Sequence, residues 1–279
     1  MNLIIQGLEI NNSDLRALAK LSRADGIERI TGQAFRLTNA TYTKDTKDIA
    51  EYCAEVALDF AFVNSNLNLS DFKLIAMDMD STLLAIESID EIADMNNIKP
   101  QVAAITQQTM RGEISFEESL TRRTLLLQGL HQDALQKVYD ERVCLNPGAE
   151  KMLQQAKISG LKTMVISGGF TFFTDRIQEK LEFDYAAANV LEIANEKLTG
   201  KVVGEILGRQ GKAQVLRQVR DKLGIQREQI IAIGDGANDL DMMAEAGVSI
   251  AYHAKPIVKD HATYSIDHVG LDGVINLFR

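Results

Sequence analysis

An α/β fold built on an open parallel sheet is what this sequence predicts, and three observations carry that prediction. Four short, near-continuous apolar runs, Lys73–Met77, Leu161–Ile166, Ile230–Ile233 and Val248–Ala251, read as strands covered on both faces. Helical patterns separate them, the alternation expected of parallel strands joined by crossovers. Residues 1–70 follow a different rhythm, with short strands interleaved with two amphipathic helices.

In chain order, Asn2–Gln6 is strand-like and Ser13–Arg23 is a helix capped by Asn11, Asn12 or Ser13. Ile27–Ile30 and Phe35–Leu37 are strands around Thr31-Gly32-Gln33, Thr46–Leu58 is a helix and Asp59–Asn64 a strand. The order β-α-β-β-α-β is the ferredoxin-like arrangement. Asn64–Ser70 is polar and turn-prone, a linker that divides the chain into residues 1–70 and 71–279. After the first apolar run, residues 86–146 carry no strong strand signal. Their helical spacing, as in Phe116, Leu120, Thr124 and Leu127, predicts a helical cap ending near Asn146-Pro147-Gly148. Residues 189–207, with turns at Asn195-Glu196 and Thr199-Gly200, read as a small hairpin excursion.

Composition narrows the function classes. With a net charge of −9 over 279 residues, no basic face is expected for a nucleic acid or an anionic membrane surface. No apolar run approaches the roughly 18–20 residues of a membrane span. The opening Met1–Gly7 lacks the basic flank and longer apolar core of a leader. The 2 cysteines, Cys53 and Cys144, lie far apart, so reduced thiols and a soluble cytoplasmic protein are expected.

Chemistry gathers at the strand ends, where ligands bind in open parallel sheets. Asp78 and Asp80 follow the first strand two residues apart, on one side of an extended segment, with Ser81 and Thr82 behind them. Two crowded acids call for a cation or a shared proton. Ser167-Gly168-Gly169 follows the second strand and offers a hydroxyl and backbone N–H groups to a phosphate. Lys212 opens a helix with a lone ammonium suited to phosphoryl charge. Gly234–Asp239 adds Asp235, Asn238 and Asp239 after the third strand, completing an oxygen-rich site suited to Mg²⁺. Each piece alone has a bland reading as a solvated turn or a surface lysine; their convergence on neighbouring strand ends favours a site. A phosphate-binding P-loop at Gly204–Lys212 is rejected, since it needs Gly where Ile206 stands and a hydroxyl where Ala213 stands. His131, His253, His261 and His268 show no metal-ligand spacing.

In order and spacing these motifs resemble the haloacid dehalogenase superfamily of phosphohydrolases. Its D-x-D-x-T motif is matched by Asp78–Thr82, its serine by Ser167, its lysine by Lys212 and its acidic motif by Asp235–Asp239. A finer resemblance, to the phosphoserine phosphatases, rests on Asp78–Ala93, Val165–Phe170, Gly234–Asp239 and the cap segment Met110–Arg123. It implies a HAD-like, Rossmann-like sheet with an inserted cap. It also implies an Mg²⁺-dependent hydrolysis of O-phosphoserine, with Asp78 as nucleophile and Asp80 as acid and base. The metal would rest on the Asp78 carboxylate, the Asp80 carbonyl and Asp235, with Asp239 supporting the shell. The acid-rich surroundings are expected to keep Asp80 protonated for the first step. Ser167, Gly168 and Lys212 would hold the phosphoryl group, and Asn238 would orient it or a metal ligand. Glu87 suits the substrate ammonium and Arg123 its carboxylate, while Met110 and Phe116 shield the closed site. The same core also serves phosphotransferases and phosphatases of other small phosphomonoesters. A binding module without turnover is disfavoured by the intact Asp78, Asp80, Lys212 and Asp235. Residues 1–70 resemble ACT-type domains in element order, without a clear Gly-rich ligand loop. Dimerisation through the sheet, giving a homodimer, or stabilisation is expected of them ahead of serine sensing, and a chain starting near Leu69 is expected to keep the chemistry.

Overall fold

The structure, a computed structural model, describes residues 1–42 and 46–278, and of Met110 the backbone alone. Strand β1 (Asn2–Gln6), helix α1 (Asn12–Ser22), β2 (Gly26–Arg29), β3 (Ala34–Thr38), α2 (Lys47–Glu55) and β4 (Asp59–Val63) follow in the expected order. The strands pair antiparallel as β2-β3-β1-β4. Every residue of β1 is buried, because both faces of this sheet are covered. Leu3 and Ile5 join Leu15, Leu18 and Cys53 of the two helices. Alternation sends Ile4 the other way, where it enters the main core with Ala61 and Val63 of β4.

Polar contacts fix that second face. The Gln6 amide donates to the Gly273 carbonyl at 3.0 Å and accepts from Asn276 at 2.8 Å. The Asp59 carboxylate accepts the backbone N–H groups of Asp267, His268 and Val269 at 2.7, 3.0 and 3.1 Å. Burial raises this carboxyl above its usual range, and the three amides pull it only part of the way back. The linker expected at Asn64–Ser70 closes instead in a 3-10 turn at Leu69–Asp71, with Leu69 in the main core. That second face of the small sheet is therefore covered by the rest of the chain, while edge strand β2 stays largely exposed.

Seven strands form the second sheet: β5 (Leu74–Met77), β6 (Lys162–Phe170), β7 (Tyr185–Ala194), β8 (Lys197–Val203), β9 (Ile230–Gly234), β10 (Val248–Tyr252) and β11 (Tyr264–Ile266). Their order is β11-β10-β9-β5-β6-β7-β8, parallel throughout except for β7 against β8. Along β5, Leu74 and Ala76 enter one core while Ile75 and Met77 enter the other. That two-sided burial is why the strand reads as an unbroken apolar run.

Three details differ from the sequence reading. Strand β6 runs on through Ser167, Gly168 and Gly169, with its register slipping between Ile166 and Phe170, so the serine motif lies in a bulged strand rather than a turn. The hairpin is no separate excursion: β7 begins at Tyr185, pairs with β6 and extends the main sheet. The short edge strand β11 carries too few apolar residues to announce itself.

The cap inserted after β5 consists of α3 (Ser88–Met95), α4 (Lys99–Met110), α5 (Phe116–Leu125) and α6 (Asp133–Arg142). Pro100 sits in the first turn of α4, and the Ser115 hydroxyl caps α5 by accepting the Glu118 N–H at 3.1 Å. Entry and exit of the cap run side by side. The Ala85 N–H donates to the Cys144 carbonyl at 2.9 Å, and the Asn146 amide donates to the Thr82 and Leu84 carbonyls at 2.8 and 3.1 Å. Helices α7 (Ala149–Ile158) and α8 (Thr171–Leu181) cover one face of the sheet, and α9 (Arg209–Leu223) and α10 (Leu240–Ala244) the other. Short helices α11 (Pro256–Lys259) and α12 (Gly273–Asn276) follow. Among the described residues, no helix is long and apolar enough to cross a membrane.

Candidate active site

Asp78 is the first polar residue after β5, and its N–H donates to the Ile233 carbonyl of β9 at 3.1 Å. Ser81 then takes a φ of 58° and reverses the chain, while Asp80 before it stays extended. Both acids line one cleft of about 580 Å³ between the sheet and the cap.

Under the cleft floor lies Lys212, with no exposed surface. Its Nζ is 2.8 Å from Asp78 Oδ1 and 2.8 Å from Asp239 Oδ1. Burial alone would lower the ammonium's pKa, but the two carboxylates more than reverse that, so it stays charged. The reading of Lys212 as a solvated lysine is excluded. Asp239 Oδ2 accepts the N–H groups of Asp235 and Gly236 at 3.2 and 3.0 Å, which shapes the loop, and Thr82 donates to Asp235 Oδ1 at 3.0 Å.

Oxygens of Asp78, Asp235 and Asp239 lie within 4.8 Å of one another. Burial first, then Asp239, raises Asp78, against the pull of Lys212; the same two causes push Asp235 up to about 6. One ammonium does not balance these acids. An all-oxygen donor set with surplus negative charge fits a hard divalent cation. Both Asp239 oxygens already have partners, whereas the two contacts of Asp78 fall on Oδ1 and leave Oδ2 for the cleft.

The Asp80 carboxylate belongs to a different set of partners. Oδ1 accepts the N–H of Ser88, the first residue of α3, at 2.8 Å, and Oδ2 accepts the Ser167 hydroxyl at 3.0 Å. As a metal donor, Asp80 is thus left with its main chain. Its pKa is raised, as expected, but by burial rather than by neighbouring acids, and the Ser88 N–H and Ser167 hydroxyl oppose the rise. Ser167 also accepts the Gly169 N–H at 2.8 Å. A Cβ on Gly169 would come within 2.7 Å of Asp80 Oδ2, and one on Gly168 within 2.7 Å of the Phe116 ring, so the bulge needs glycine for close approach.

Glu87, Arg123 and Phe116 bring the cap into the same cleft, and Gly168, Asp235 and Asn238 meet them from the sheet side. Glu87 accepts the Ser81 hydroxyl at 2.7 Å. It is open to cleft water yet surrounded by protein, and desolvation, then Asp80, pushes its carboxyl up to about 7. Arg123 is largely desolvated, which lowers its pKa, while Asp90, Glu87 and Asp80 oppose that. Ser167 and Lys212 sit beneath the cleft lining, fully buried. Met110 ends α4, and its side chain lies outside the described residues.

Several contributors were not legible in the sequence. Buried Asn189 of β7 donates to the Gly168 carbonyl at 2.9 Å and accepts the Leu207 N–H at 2.7 Å, fixing the bulge to the loop before α9. A lone asparagine in a strand gives no signal. Lys255 donates its N–H to the Asp235 carbonyl at 3.1 Å and lines the cleft with Arg209.

Fold and site together define a class. A family model of haloacid dehalogenase-like hydrolases matches residues 72–247, and the chain belongs to that family. A second model, a domain of unknown function, matches residues 3–49. Within the family the likeness is to phosphoserine phosphatases. The chain is 51% identical over 219 residues to the phosphoserine phosphatase of Polaromonas sp., covering 77% of this chain and 93% of that one. Among solved structures, a HAD family hydrolase of Salmonella enterica serovar Typhi superposes with a TM-score of 0.91 at 32% identity, covering 100% of this chain and 98% of that chain. A probable phosphoserine phosphatase of Vibrio cholerae, in unliganded form, gives a TM-score of 0.85 at 33% identity over 99% of this chain and 85% of that one.

Proposed function

We propose that this chain is an Mg²⁺-dependent phosphoserine phosphatase, hydrolysing O-phospho-L-serine to L-serine and phosphate in the last step of serine biosynthesis. Asp78 and Asp235, with the main chain of Asp80, would hold the metal. Bound there, Mg²⁺ supplies the positive charge that lets an anionic nucleophile approach a phosphate dianion.

The residues divide the work as follows. Asp78 attacks phosphorus, the bond from phosphorus to the serine oxygen breaks, and an aspartyl-phosphate forms. Asp80, whose carboxyl burial raises above its usual range, gives a proton to the departing oxygen. Water then attacks phosphorus and passes its proton to Asp80, and cleavage of the Asp78–phosphorus bond frees phosphate. Ser167, the Gly168 main chain and Lys212 hold the phosphoryl group, and Asn238 orients it. Glu87 receives the ammonium and Arg123 the carboxylate, while Phe116 helps to exclude water. A cytoplasmic location belongs to the same reading, supported by two cysteines that form no disulfide.

The observation that carries this reading is the separation of the two acids within one cleft. Asp78 is held by Lys212, and Asp80 is held apart by Ser88 and Ser167. Phosphate release from a panel of phosphomonoesters, with Mg²⁺ and with a chelator, tests it. O-phosphoserine should be turned over fastest, and only with metal. A clear preference for an ester without the amino-acid moiety would overturn the substrate assignment.

A further inference from the structure

Arg123 is loosely held for a residue that must present a fork to a carboxylate. Among the described residues its one hydrogen bond runs from Nε to the Ser119 carbonyl, one turn back on α5, at 3.4 Å. Arg123 lines the cleft, and among the described residues its two terminal nitrogens make no hydrogen bond or ion pair that would fix the plane of the guanidinium.

Asp90 lies on α3, three residues after Glu87, and lines the same cleft. Its Oδ1 is buried and has no hydrogen-bond partner. A carboxylate oxygen in that condition is costly, more so than a neutral group. The Ser119 hydroxyl, 1% exposed on the same wall of the cleft, is also without a partner. Of the acids whose charge acts on Arg123, Asp90 acts most strongly, ahead of Glu87 and Asp80. Glu87 is differently engaged, since one of its oxygens already accepts the Ser81 hydroxyl.

We propose that Asp90 is a positioning residue for Arg123. Its carboxylate makes no direct hydrogen bond or ion pair with Arg123, but its charge, facing the same cleft, biases the guanidinium toward the carboxylate of the substrate and leaves the ammonium to Glu87. The proposal rests on the phosphoserine reading given above. Because Asp90 acts through Arg123, its removal weakens recognition of the substrate carboxylate and leaves the phosphoryl chemistry alone.

Steady-state kinetics of Asp90→Asn on two esters provide the test. Phosphoserine carries both ammonium and carboxylate; phosphoethanolamine carries only the ammonium. Asp90→Asn should raise KM for phosphoserine by roughly tenfold, the scale of one charge-assisted contact, with kcat within about twofold. The specificity constant for phosphoethanolamine should not change. Asp90→Glu should recover most of the KM, and Asp90→Asn should add nothing in an Arg123→Ala background. Equal losses on both esters would assign Asp90 to the ammonium instead. Losses that add to those of Arg123→Ala, or that fall on kcat alone, would equally overturn the proposal. Melting temperatures accompany each variant, and if Asp90→Asn melts early, Asp90→Glu and Asp90→Ser carry the same comparison. A wild-type chain that fails to hydrolyse phosphoserine would overturn the underlying reading and this proposal together. A working wild type makes the variants a judgement on Asp90 alone.

Discussion

Lys212 illustrates how a residue at this site serves stability and chemistry at once. Its ammonium bridges two buried carboxylates, so Lys212→Met would leave Asp78 and Asp239 desolvated without their partner. Breaking a buried pair in this way costs about 3–5 kcal/mol. Urea denaturation should show a loss of that size, together with the loss of phosphatase activity. A variant as stable as the wild type would mean that the acids take up protons at no cost.

Asp235 gives a pH signature. Its carboxyl is raised from 3.8 to about 6, so the folded state keeps a proton that the unfolded chain has already released. That contribution favours folding at low pH and is lost as the pH climbs through about 6. Mg²⁺ competes for the same carboxylate, so the rise in melting temperature on adding it should be larger near pH 7.5 than near pH 5. Equal gains at the two pH values would place the metal elsewhere. Asp78, Asp80 and Asp235 are legible in sequence because several acids converge on the ends of neighbouring predicted strands. Asn189 is not, since its role exists only once β7 lies beside the bulge in β6.

At the scale of elements, the cap's attachment is the point most open to test. Asn146 joins its departing and returning strands through bonds to the Thr82 and Leu84 carbonyls. Asn146→Ala should cost about 1–3 kcal/mol, as expected when buried carbonyls lose their donor. Limited proteolysis should then cut the cap segment faster than in the wild type; an unchanged digestion pattern would remove the residue from that role. The helices of the cap and the four central strands follow from periodicity, which local residues determine. The course of β7 does not, because residues 185–188 become strand by pairing with β6, a partner about twenty residues away.

At the scale of the whole molecule, residues 1–63 do more than precede the hydrolase unit. Ile4 and Val63 belong to its core, and burying two such side chains contributes about 3–6 kcal/mol. A chain starting near Leu69 keeps every candidate site residue and should retain phosphoserine turnover at low temperature. Its melting temperature should fall by several degrees or more, as calorimetry would show; an unchanged value would mean that the second face of the small sheet contributes nothing. The β-α-β-β-α-β order is readable from the sequence. What the sheet leans on is not, because the partners of Asp59 and Gln6 lie 208 to 270 residues away.

Those separations also set an order in time. As the ribosome releases this chain, α1 and α2 can close over their side of the first sheet at once. On the opposite side, Gln6 and the Asp59 carboxylate lack their hydrogen-bond partners until residues 267–276 emerge. While the 208 residues that lead from Asp59 to its first partner are made, the nascent chain therefore carries an incompletely covered surface, the kind that recruits chaperones or sticks to its neighbours. The first strands are sealed by residues 208 to 270 positions further along the chain.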